Sequence, residues 1–94
     1  MLEYATDYNK VIMVGSIASD ITLSRNHDGV FIANFDILCK SSKNEFNYPV
    51  AVFGDLGEDV AKSLNKGERI LIEGHLFRVG YGEISIRAVR VFPM

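Results

Sequence analysis

Positions 9–15 read Asn-Lys-Val-Ile-Met-Val-Gly, and the four apolar side chains at 11–14 fill both alternating phases of an extended strand. A strand of that kind has no face to spare for water, so something must cover each side of it. A lone barrel covers only one. A second informative run, Val52-Phe53-Gly54-Asp55-Leu56, sets an aromatic at the end of a strand just ahead of a short helix. A ring in that place either fills a core or stands as a platform.

The chain has 94 residues, enough for one domain around one core. Its 48% hydrophobic and 11% aromatic content exclude general disorder. Cys39 is the sole cysteine, which rules out an intrachain disulfide or a thiolate cluster and fits a reducing, cytoplasmic setting. Residues 1–8 are acidic and lack an apolar centre, so they read as an N-terminal extension and not a signal peptide. No apolar run approaches the roughly 20 residues of a membrane span. With 10 basic against 12 acidic residues the net charge is −2. Any nucleic-acid site must then be a local basic groove aided by stacking.

The pattern predicts strands over 10–17, 20–25, 30–39 and 48–53, with a turn at Asn26-His27-Asp28-Gly29 and a polar loop over 41–45. Pro49 falls near the start of the fourth strand. A helix follows, with Asp55 as its cap and Glu58 completing a capping box. Leu56, Val60, Ala61 and Leu64 share one face, and Lys66-Gly67 supplies the stop. Two more strands, 68–79 and 83–92, join at Gly80-Tyr81-Gly82. An all-β chain with one helix before its last hairpin fits a five-stranded Greek-key barrel, the OB fold, over residues 9–94.

These residues resemble the bacterial single-stranded-DNA-binding protein family over roughly 9–92. The opening strand at 9–15, Ile32-Ala33-Asn34-Phe35, Val50-Ala51-Val52-Phe53-Gly54, the helix and stop at 59–67, and Ile70-Leu71-Ile72-Glu73-Gly74-His75-Leu76 each look like that family's segments, in its order. The chain departs from the family at Ile21, where a proline is usual, and at Asp55, where a lysine is. The stretch Phe77-Arg78-Val79-Gly80-Tyr81 holds one arginine where the family is basic-rich. The sequence ends at Val91-Phe92-Pro93-Met94, so the likeness covers the barrel and not the family's acidic tail.

By pattern alone Phe53 fits a core position; the resemblance implies a stacking ring. Tyr81, between two glycines at a hairpin tip, has little core to fill and is a candidate base platform. Phe77 shares the phase of Arg69, Leu71, Glu73 and His75, opposite Ile70, Ile72 and Leu76, which puts it on the outer side. Phe46 and Tyr48 flank Asn47, where the resemblance implies a further ring. One of them can take that place through a bulge, or both pack along an edge. Phe31 and Phe35 are assigned to the core. Lys40, Lys43, Lys66, Arg69, Arg78 and Arg87 are candidate phosphate contacts, each also readable as a solvated charge. His27 and His75 stand apart from other ligand types, so neither a metal nor another cofactor is expected.

The expectation is a non-enzymatic protein that binds single-stranded DNA with little sequence preference, in replication, recombination or mobile-element transfer. It should form a dimer or tetramer through Lys10, Val11, Ile12, Met13 and Val14. The rival reading is an OB-fold interaction module that serves a replication or helicase partner.

Overall fold

The computed structural model describes residues 7–78 and 81–94. The expected extension therefore lies largely outside the described residues, as do Val79 and Gly80 of the last hairpin. The elements are β1 (Val11–Ile17), β2 (Thr22–Arg25), β3 (Phe31–Lys40), β4 (Glu45–Phe53), α1 (Gly54–Ser63), β5 (Arg69–Arg78) and β6 (Ile84–Pro93). One sheet runs β1-β5-β6-β4-β3-β2, and a further β1–β3 pairing closes five of its strands into a barrel. All neighbours are antiparallel except β4 and β6. This is the OB architecture.

β3 shares one edge between two partners. Its first half pairs with β2 and its second, at Ile37 and Leu38, with β1. The strand is thus held on both edges, which suits its long apolar run. Its inward phase, Ala33, Phe35 and Ile37, meets Ile17, Val50, Val52, Ile70, Ile72 and Ile86 in the buried core. Val60 and Leu64 close that core at the end covered by α1. Phe31 does not join it. It lies on the same phase at the strand's start, half-buried, with the Arg25 guanidinium 4.2 Å from its ring centroid.

Several local expectations change. The loop between β3 and β4 is shorter than 41–45, because the Ser41 N–H bonds the Asn44 carbonyl at 2.8 Å and β4 starts at Glu45. Pro49 is therefore inside β4, one residue before the parallel pairing with β6 begins at Val50, where the strand's second edge has yet to gain a partner. The turn at 26–29 forms as expected. Asn26 Oδ1 accepts from the N–H groups of Asp28 and Val30, both at 3.0 Å.

Asp55 does not cap the helix. Phe53 holds the N-cap position, and Asp55 sits in the first turn, where its charge favours the helix dipole. The helix ends with Leu64 as C-cap in an extended conformation, so Gly67 is not its stop. Instead Gly67 belongs to a turn in which the Glu68 N–H bonds the Asn65 carbonyl at 3.2 Å.

One irregularity reshapes β6. Gly74 pairs with Ala88 but Glu73 pairs with Arg90, which leaves Val89 as an extra residue in a bulge. A Cβ on Gly74 would collide with the Arg87 carbonyl and the Ala88 backbone. Glycine is what permits the two strands to come this close.

Gly74→Ala is expected to destabilise by about 1–3 kcal/mol, because only backbone could yield. Each kcal/mol should lower Tm by roughly 4–8 °C for a domain of this size, measured by thermal circular dichroism. Phe35→Ala should cost about 3–5 kcal/mol. Phe31→Ala should cost clearly less; equal losses would put Phe31 back in the core.

Candidate nucleic-acid interface

Val52 is fully buried, so alternation turns Phe53 to the outside of the barrel, where it is half-buried. Gly54 follows with φ +73, a left-handed value that lets the chain swing from β4 into α1 without strain. The Phe-Gly pair therefore presents a ring at a corner and turns the backbone away from it. Phe77, on the outer phase of β5, meets Phe53 edge to face, with ring centroids 6.0 Å apart and planes at 77°. Arg87, on the outer phase of β6, lays its guanidinium 4.2 Å from the Phe53 ring centroid. Three strands thus build one cluster of two rings and a cation.

Arg87 pairs across strands with His75, which lies on the same outer face. A fixed guanidinium against a ring can stack on a base or hold a phosphate while losing little further side-chain freedom. Tyr81 is fully exposed at the tip of the β5–β6 hairpin, four residues beyond Phe77.

Other candidates are placed elsewhere. The β3–β4 ladder runs without a break from Ile32–Phe53 to Lys40–Glu45, so the bulge that could bring Phe46 or Tyr48 to the Phe53 side is absent. Both lie on the opposite phase and stack on each other, centroids 6.2 Å apart at 22°. Asn47, exposed, is the residue that shares Phe53's phase. Lys40 sits at the far end of this arm, 3.6 Å from Glu45, and Lys43 lies exposed in the adjoining turn. Arg78 is on the opposite phase from Phe77.

Lys66 and Arg69 are at the other end of β5. Eight residues of strand separate Arg69 from Phe77, about 26 Å. There Arg69 donates to Ser16 Oγ at 3.4 Å and lies close enough to Cys39 to favour its thiolate. Burial outweighs that cation and pushes the Cys39 thiol up from its ordinary value, and the thiol donates to the Val14 carbonyl at 3.2 Å.

β1 divides by phase. Val11 and Met13 turn inward and pack on the core, whereas Ile12 and Val14 are 60% and 40% exposed. Of the five residues expected at an interface, Lys10, Ile12 and Val14 therefore present side chains to the outside, and Val11 and Met13 to the core. Across strands Val14 neighbours Leu71, which neighbours Phe92, itself 48% exposed. Along 11–15 the edge of β1 away from β5 carries no strand among the described residues.

Residues 8–81 match the profile of the Single-strand binding protein family. The chain belongs to that family. No curated protein matches it in sequence. Among solved structures, the second single-stranded DNA binding protein (SSBb) from Mycobacterium smegmatis superposes with a TM-score of 0.80 at 28% identity. The match covers 90% of this chain and 87% of that one. Membership makes this a binding protein and not an enzyme. Among the described residues no helix is long and apolar enough to cross a membrane. Of the residues on this face, Arg87 is a candidate the sequence offers, whereas His75, twelve positions away in the chain, joins it only through the strand register.

Arg69→Gln should slow reaction of the Cys39 thiol with a disulfide reagent at about pH 8, because losing the cation leaves less thiolate. Unchanged or faster labelling in the folded variant would contradict the placement of Arg69 beside Cys39.

Proposed function

We propose that this chain binds single-stranded DNA with little sequence preference, stacking bases on the Phe53–Phe77 pair and on Tyr81 while Arg87 holds the backbone. The observation that carries the reading is the Phe53 ring in contact with both Phe77 and the Arg87 guanidinium on the barrel's outer face. Stacking needs the face of a base, which a duplex hides and every unpaired base offers. A net charge of −2 limits the number of phosphates the chain neutralises, so rings must supply a large share of affinity. Family membership supports the same conclusion.

The protein works as a homo-oligomer, a dimer or tetramer, assembled at the open edge of β1 and the apolar row Val14, Leu71 and Phe92. Its setting is the cytoplasm, in replication, recombination or mobile-element transfer.

If about three to five phosphates are neutralised, log K for oligo-dT should fall with log salt at roughly −2 to −3.5. Salt-independent binding, or preference for duplex, would contradict the proposal. Stacking is worth about 1–3 kcal/mol per base, so Phe53→Ala and Tyr81→Ala should each weaken binding by about fivefold to more than a hundredfold. Asn47→Trp adds a ring on the Phe53 phase and should strengthen it. Light scattering at tens of micromolar should show a dimer or larger; a monomer would refute the assembly.

A further inference from the structure

β6 runs on past its neighbour. Its last pairing with β4 is Val52–Ala88, after which Gly54 turns the chain into α1, whereas β6 continues to Pro93. Among the described residues no strand occupies the lane beside 89–93 that β4 leaves. The register fixes which backbone groups face that lane. The Met94 N–H bonds the Arg69 carbonyl at 2.9 Å, so by antiparallel alternation Phe92 and Arg90 also exchange bonds with β5. Val91 then turns its N–H and C=O to the lane, and Pro93 its C=O. None of these groups has a hydrogen-bond partner among the described residues.

Val91 and Pro93 also form one wall of a groove of about 120 Å³, whose other wall is the α1 face of Leu56, Val60 and Leu64. That volume is well below the roughly 300 Å³ at which small-molecule sites begin, and it suits a single aliphatic side chain. Asp59 and Ser63 stand on the α1 rim of the groove. Asp55, one turn before Asp59, is exposed on the same side of the helix. Neither carboxylate joins an ion pair among the described residues. Two uncompensated negative charges at this spacing repel a phosphate backbone and attract a cation.

We infer that this lane is a docking site for an extended segment of a partner protein, which adds a strand to β6 at Val91, sets an aliphatic side chain into the groove and brings a Lys or Arg to Asp59. The cation belongs two residues from the aliphatic side chain, because that spacing puts both on one face of a strand. Unpaired edge groups hold the segment's backbone, and the groove selects its side chains. The lane is on the side of β6 away from β5 and β1, so pairing at the open β1 edge leaves it free.

The probe is the synthetic peptide acetyl-Thr-Lys-Thr-Leu-Thr-Lys-Thr-amide, which puts leucine and both lysines on one strand face in either direction. Titrated up to about 1 mM, it should give saturable amide shifts at Leu56, Val60, Leu64 and Val91. The same peptide with glutamate in place of lysine should give none. Asp59→Asn should weaken binding about 1.5-fold to fivefold. Ser63→Trp, which fills the groove from an exposed position, should abolish binding with circular dichroism unchanged. Of two N-methylated peptides, one modified on the Thr nitrogens and one on the Leu and Lys nitrogens, only the form that keeps its donors toward β6 should bind. Equal binding by both would overturn strand addition. No shifts with the lysine peptide, or equal shifts with the glutamate one, would overturn the site. So would displacement of the peptide by oligo-dT, which would give the lane to nucleic acid. Movement of the same amides on diluting the free protein would give it to a second copy, and would also overturn the inference.

Discussion

The close approach of Gly74 to the backbone of Arg87 decides which way half of β6 faces. A side chain there would push β5 and β6 apart at the point where the bulge forms. With glycine, the strand gains one residue and reverses its phase, so Val91 reaches the core while Arg90 stays outside. The barrel interior and the charge on the outer face are both consequences of this contact. It also bears on assembly, since Phe92 joins Leu71 and Val14 on the outer face only because the phase has reversed.

The order of elements was legible because hydrophobic phase and turn chemistry act locally. The apolar alternation of 70–76, the turn at Asn26 and the single amphipathic helix each signal themselves within a few residues. What was lost depended on neighbours. Asp55 and Glu58 look like a capping box, yet the helix starts at Gly54, two residues earlier than an Asp55 cap would place it, which leaves Asp55 in the first turn. Phe31 has the core's phase but lies at the end of its strand, where Arg25 and not the core covers it. Of the two alternatives open to Phe46 and Tyr48, β4 makes no bulge and the rings stack on each other, while a bulge forms at Val89 instead. The glycine inside the apolar alternation of β5 was the available signal for it.

The candidate site divides in the same way. The rings Phe53 and Phe77 come from motif and phase, and the fold brings them into contact. Lys66 and Arg69, candidates by charge, lie at the opposite end of β5 from the rings. The cation on the Phe53 ring, Arg87, is on β6, and His75, isolated in the sequence, is its cross-strand neighbour. Spacing along the chain carries no trace of such a grouping, because the sheet register creates it.

The outer face built from the end of β4 and the middle of β5 and β6 is the one proposed to receive the strand. Amide chemical-shift mapping during titration with oligo-dT tests it most directly. The largest shifts should fall at Phe53 and Gly54, His75 to Phe77, and Arg87 to Arg90, with little change at Lys66 to Arg69. Shifts centred on Phe46, Tyr48 and Lys66, with Phe53 and Arg87 unmoved, would contradict it.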